Sequence, residues 1–299
     1  MIMYCLRVGT DFKPHGVLKH NRRREKKMIR DIGMYFKTVI VAFFALYFLS
    51  AQVGMLSTAY AQDTNPNIDP QASEILQNMS YYLGSKSEYT FKSDSMFDVL
   101  ISGERKIQYS ALETVYIRKP DRFTIEYVTD IGGYKIWYNA GQLTLLSLPT
   151  NDFSIATLPG SIDQALAKLL EQYNFAPALS EFLFINTYRA LTENVTSGAY
   201  FGTSHVFGTK CDHLAFVQND IDWQIWIETG NRPAPRKLVI TYKNLPGAPQ
   251  YIAILKDWVI DRPITGFAFK PNIPNINSRV EMNQITDNPK LRGGSIRSR

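Results

Sequence analysis

Hydrophobic positions recur at two spacings along this chain, and the switch between them divides it. Ala72, Ile75, Leu76, Met79, Tyr82 and Leu83 fall at steps of three and four, one apolar stripe on a helix. Asp69 supplies an N-cap, Pro70 a first-turn proline and Gly84 a stop, so a helix is predicted from Asp69 to Gly84. From Glu88 the period becomes two. Short runs rich in β-branched and aromatic residues predict strands over 91–100, 105–109, 114–117, 123–128, 134–138 and 143–147. Turn residues separate them, among them Ser102-Gly103, Pro120-Asp121, Gly132-Gly133 and Ala140-Gly141. The helical period then returns. Ser161 caps a stripe of Ile162, Ala165, Leu166, Leu169 and Leu170, and Pro177 opens a Leu- and Phe-rich helix over 178–186. Strands resume over 195–201, 204–207, 213–217, 223–227, 237–242 and 251–258, with a last candidate at 266–269 running into an edge or frayed end.

This order predicts an α+β fold. Successive hairpins make one large, curved antiparallel sheet, an incomplete barrel, with about three helices covering its concave apolar face. Alternation identifies that face: Trp223, Ile225 and Ile227 point one way, and Asp222, Gln224, Trp226 and Glu228 the other. Phe123, Ile125 and Tyr127 likewise oppose Thr124, Glu126 and Val128. Two readings stay open. The space between wall and helices is either a filled core or a site for an apolar ligand. On the second reading the lining is Phe123, Ile125, Tyr127, Ile136, Trp223, Ile225 and Ile227 from the wall, with Phe182 and Ile185 from the roof.

Charge changes the picture at the N-terminus. Of 33 basic and 27 acidic residues in the 299-residue chain, ten and three fall in the first 61 positions, leaving a body of 23 against 24. A near-neutral body gives no cationic footprint for nucleic acid. The basic run 21–31 precedes an uncharged stretch at 39–49 and ends in Ala59-Tyr60-Ala61, the order of a secretory signal cleaved after Ala61. The weakly polar span 39–56 also allows an uncleaved membrane anchor, and translation could start at Met1, Met28 or Met34. The expected organisation is a leader or anchor over 1–61, a polar spacer over 62–68, the sheet domain over 69–285 and a basic tail over 286–299. The expected location is the periplasm, with membrane contact only through an uncleaved leader.

Chemistry is sparse. The composition, 45% hydrophobic and 20% charged, is that of a globular chain rather than a disordered one. No zinc, Walker, nucleophile-elbow or dinucleotide motif occurs, so no metal, cofactor or catalytic constellation is expected. Cys211 and His213 share a strand face, which permits a nucleophile pair, but a buried small thiol and a histidine hydrogen-bonded to a neighbour are the preferred reading.

Several segments are distinctive as a set: Cys211–Phe216 (CDHLAF), Asp222–Ile227 (DWQIWI), Pro235–Tyr242 (PRKLVITY), Pro249-Gln250-Tyr251, Trp258, Arg118–Arg122 (RKPDR) and Trp137-Tyr138. Together they resemble the DUF2092 family of predicted periplasmic proteins, over roughly Asp69 to Trp258. That family looks like a member of the LolA/LolB-like lipoprotein-carrier superfamily. The resemblance implies a half-barrel lidded by helices, with an interior for acyl chains. The arginine with which carriers hold their lid has no match here, so carrier activity does not transfer. The expectation is a non-catalytic periplasmic protein holding an acyl chain, a lipid or a lipoprotein moiety. Its alternative is an envelope sensory or interaction protein with a protein partner, met by an exposed patch around Trp226.

Overall fold

The computed structural model describes residues 67–101, 105–158, 160–273 and 277–287. The expected leader or anchor, most of the spacer and nearly all of the basic tail lie outside the described residues. The predicted first helix is present as α1 (Pro70–Gly84), with Asp69 accepting from the Gln71 N–H at 2.8 Å. The second is α2 (Ile162–Tyr173), where Ser161 accepts from the Gln164 N–H at 3.2 Å.

The strands are β1 (Glu88–Ile101), β2 (Arg105–Arg118), β3 (Arg122–Thr129), β4 (Gly132–Asn139), β5 (Gln142–Ser147) and β6 (Phe153–Thr157). After the helical insertion come β7 (Ser197–Val206), β8 (Thr209–Val217), β9 (Asp222–Glu228), β10 (Pro235–Thr241) and β11 (Gln250–Ile260). They form a single antiparallel sheet in the order β6-β5-β4-β3-β2-β1-β11-β10-β9-β8-β7. Each half is a meander, and the halves join where the first strand pairs with the last. The sheet does not close: β6 and β7 are its edges.

That topology forces the roof. The chain leaves at one edge and must re-enter at the other, so residues 158–196 cross the concave face. Both edges are shielded by short parallel bridges, Ile68 on Gly198 of β7 and Arg279 on Phe153 of β6. Covering an edge in this way removes a template for pairing with other chains. At the first bridge a Cβ on residue 198 would lie 2.5 Å from the Phe216 ring, so the close approach requires glycine.

Four sequence expectations change. The helix expected over 178–186 is a 3₁₀ turn, Ser180–Leu183, followed by the short α3 (Thr187–Thr192). Backbone groups in this stretch bond to side chains of other elements, which competes with an α-helical ladder. The strand expected at 266–269 is a 3₁₀ turn, with Phe269 buried and the Arg118 guanidinium 5.0 Å from its ring centroid. The runs 195–201 and 204–207 are one strand, because Gly202 at φ 85° makes a bulge rather than a turn. The runs 105–109 and 114–117 are also one strand, whose alternation of apolar residues is broken by the exposed Leu112 and the buried Glu113. β6 and the terminal α4 (Met282–Thr286) had no sequence forecast.

One irregularity shapes the interior. Between Thr90 and Lys92 the β11 partner moves from Val259 to Lys256, a bulge with Asp257 at φ 52°. The inward set on β11 changes there from Tyr251, Ala253 and Leu255 to Trp258 and Ile260. Trp258 thereby stacks on Phe91 at 4.6 Å.

Candidate functional site

Eight of the nine lining residues expected from sequence are buried in one continuous cluster: Phe123, Ile125, Tyr127, Ile136, Phe182, Trp223, Ile225 and Ile227. They do not form one patch. The β3 and β4 members pack together, with the Phe123 and Tyr138 rings 5.3 Å apart. The β9 members lie on the far side of β2, β1, β11 and β10, where Trp223 stacks on Phe216 at 4.2 Å. Ile185 is the exception, 49% exposed. The backbone turns extended at Phe184, so residue 185 no longer shares the face of Phe182. Its N–H donates to Asp163 Oδ1 at 3.1 Å while its side chain faces outward.

The roof over the middle of the sheet is an irregular plug. Leu179 takes the left-handed conformation at φ 53°, and Leu179, Phe182 and Leu183 are buried against the wall. Phe182 meets Phe91 edge-on at 6.5 Å. Two wall tyrosines hold the plug by its backbone. Tyr89 donates to the Phe182 carbonyl at 2.6 Å, and the Ala178 N–H donates to the Tyr134 hydroxyl at 3.0 Å. On the α1 side, the Tyr188 N–H donates to Ser80 at 2.9 Å. Burial pulls the Lys119 ammonium down to about 8 although its charge is balanced in part by Asp163, and it donates to the Leu83 carbonyl at the end of α1.

The concave face is not uniformly apolar, and here sequence reasoning missed the main feature. Five directly paired positions on adjacent strands carry polar side chains that point inward: Ser147, Tyr134, Tyr127, Glu113 and Ser93. All five are buried. Ser93 bonds Ser95 at 2.8 Å, and Ser95 bonds the Tyr251 hydroxyl at 3.1 Å, extending the polar row. Three oxygens at its centre have no hydrogen-bond partner: both carboxyl oxygens of Glu113 and the Tyr127 hydroxyl. Burial, reinforced by the charge of Glu181 in the roof turn, holds the Glu113 carboxyl well above the usual range. Burial also raises the Tyr127 phenol, with Glu113 and Tyr242 adding to it. A signal for this row existed in the sequence. Glu113 has the parity of Val115 and Ile117, so carrying the alternation through 110–113 places it on the apolar face.

The convex face gathers other expected residues. His213 stacks on Trp226 at 4.1 Å, Phe201 lies 5.6 Å from His213, and the Lys237 ammonium sits 4.4 Å from the Trp226 ring. His213 Nε2 bonds Gln224 Oε1 at 3.0 Å, while the Cys211 thiol donates to the Thr209 carbonyl at 3.4 Å. The two bond to different groups, and burial pushes the thiol up to about 11, which keeps it protonated at neutral pH. No group of three or more His, Cys, Asp or Glu able to hold a metal occurs among the described residues, and no described helix is long and apolar enough to cross a membrane.

Comparison with known proteins follows the same lines. The family described as predicted periplasmic protein, DUF2092, matches residues 72–283. No curated protein matches the chain. Among solved structures, the chain is similar to an uncharacterized conserved protein from Thermus thermophilus, at 12% identity and a TM-score of 0.44, over 70% of this chain and 98% of that one. It is also similar to the Mycobacterium tuberculosis lipoprotein LppX, at 11% identity and 0.36, over 66% and 98%. A third is a LolA superfamily protein from Nitrosomonas europaea, at 11% identity and 0.33, over 67% and 97%.

Proposed function

This chain belongs to the DUF2092 family of predicted periplasmic proteins, and we propose that it is a non-catalytic binding protein of the periplasm. Its ligand is an acyl chain, a lipid or a lipoprotein moiety, held between the eleven-stranded wall and the plug over residues 175–186. The supporting observation is the construction of the roof. A helix laid on the sheet would keep its backbone satisfied by itself, but this plug relies on Tyr89 and Tyr134, which belong to the wall. Lifting it breaks two hydrogen bonds and uncovers the middle of the sheet.

The energetics favour exchange. Displacing Phe182 and Leu183 costs about 1.5–3 kcal/mol each, and every methylene of an incoming chain returns about 0.8 kcal/mol. A chain of roughly eight or more methylenes offsets the displaced plug. The proposed lining is Phe123, Ile125, Tyr127, Ile136, Trp223, Ile225 and Ile227, with Phe182 moving aside and Ile185 at the rim. Native mass spectrometry of protein isolated from the periplasm tests this. A mass excess that organic solvent extracts as lipid is expected. Protein of bare mass that also takes up no added dodecyl-chain probe would sink the reading.

A further inference from the structure

The polar row inside the wall has no role in holding a plain hydrocarbon, and it is costly to keep. An ionisable group in an apolar interior is retained at a loss of stability unless something pairs with it. Glu113 and Tyr127 occupy directly opposed positions on β2 and β3. Side chains so placed start about 4.5–5.5 Å apart at Cβ, so their three unpartnered oxygens lie within reach of one small group. Glu113 is 1% exposed and Tyr127 is fully buried, so bulk water does not serve them. The roof contributes a second acid, the buried Glu181, whose charge reaches Glu113. The charges acting on Glu113, Tyr127 and Tyr251 come from Glu113, Glu181 and tyrosines alone, and no lysine, arginine or histidine contributes.

Three buried oxygens without partners, two acids and no base specify a complementary group. It must donate hydrogen bonds, it gains from positive charge, and it must be compact enough to sit beneath the plug. A primary ammonium has three N–H donors and no acceptor. An anionic head would meet the charge of Glu181 with no base to pair with, and a bare hydrocarbon would leave all three oxygens unpaired. The geometry therefore points to a head-group seat made by Glu113 and Tyr127, with Glu181 opposite, for an amphiphile that carries a primary ammonium on an alkyl chain. This assignment rests on the binding reading above and narrows it. The chain lies along the aromatic wall and the head ends at the polar row. As the charged ammonium enters, the Glu113 carboxyl gives up to solvent the proton that burial makes it hold, so the buried pair is neutral overall and binding releases protons.

Dodecylamine, dodecan-1-ol and dodecanoate differ only in their heads and serve as probes at neutral pH. Titration calorimetry in two buffers of different ionisation heat gives affinity and proton release together. For the wild type, the amine is expected to bind at least tenfold more tightly than dodecanoate, with the alcohol between them and protons released with the amine. In Glu113→Gln the amine should lose at least tenfold and the proton release should vanish, while the alcohol stays within about threefold. Glu113→Leu, which fills the site without a charge, serves if the glutamine variant fails to fold. Equal binding of all three probes to the wild type overturns the head-group seat and leaves the apolar site standing. An amine preference that survives Glu113→Gln also overturns it, since surface charge would then be the cause. No uptake of any probe removes both readings.

Discussion

The two halves of the concave face are built from the same alternation and carry opposite contents. Across β8, β9 and β10 the inward side chains Leu214, Phe216, Trp223, Ile225, Ile227, Leu238 and Ile240 are buried and hydrophobic. Their one unpartnered polar atom is the neutral Trp223 indole nitrogen. Across β1 to β5 the row from Ser93 to Ser147 runs through the middle of the face, with an acid at its centre. The first half is what a stable sheet needs. The second sacrifices stability, because an unpaired buried polar group costs about 1–3 kcal/mol and a charged one more. Proteins tolerate such a loss where a ligand or a reaction uses it. On the proposed reading, the contrast separates the part of the interior that folds the protein from the part that would recognise a ligand.

The largest expected effect tests that contrast directly. Trp223→Ala should lose about 3–5 kcal/mol in urea unfolding, through lost burial and a cavity against Phe216. Tyr127→Phe, its counterpart in the polar half, removes an unpaired hydroxyl and should leave the unfolding midpoint unchanged or raise it. Comparable losses from the two would erase the distinction between the halves.

A smaller effect concerns pH. The folded protein holds the Glu113 proton while the unfolded chain releases it near the ordinary glutamate value. Above that value the unfolded state binds fewer protons, so stability falls as pH rises, by up to about 1.4 kcal/mol per pH unit for one proton. Lys119, with its folded value pulled down to about 8, contributes a slope of opposite sign only above that pH. Between pH 5 and 7 thermal unfolding of the wild type should therefore shift downward relative to Glu113→Gln, in which this slope is absent. Parallel curves for the two proteins would mean that Glu113 ionises freely in the fold.

The smallest effect concerns the plug. Tyr89→Phe removes the bond to the Phe182 carbonyl and should lower stability by about 0.5–1.5 kcal/mol. Its clearer signature is local. Amide exchange should quicken over 178–185 and stay unchanged across β8 to β10, because local opening does not require the apolar half to separate. Uniform quickening through both regions would show that the plug and the wall unfold as one unit.

Much of the wall is legible in the amino-acid order. Alternation identifies the β3 and β9 faces correctly, and Asp69-Pro70 and Ser161 mark helix starts that the fold keeps. The central polar residues were legible too, since Glu113 keeps the parity of its apolar neighbours. The plug was not. Residues 178–186 have the composition of an apolar helix, and only contacts with Tyr89, Tyr134 and Asp163, distant in sequence, draw their backbone groups away from the helical pattern.

What the sequence determines by itself is local: the periods of three-to-four and two, the caps and turns, and the face each side chain occupies on its strand. Those follow from backbone sterics and neighbouring residues. The tertiary structure decides which strands become neighbours. Pairing β1 with β11 sends the insertion across the face from one edge to the other, and the β1-to-β5 registry lines up Ser93, Glu113, Tyr127, Tyr134 and Ser147 into one row. A buried acid becomes a site only when such long-range pairing puts other polar groups beside it and excludes water, and no periodicity along the chain encodes that.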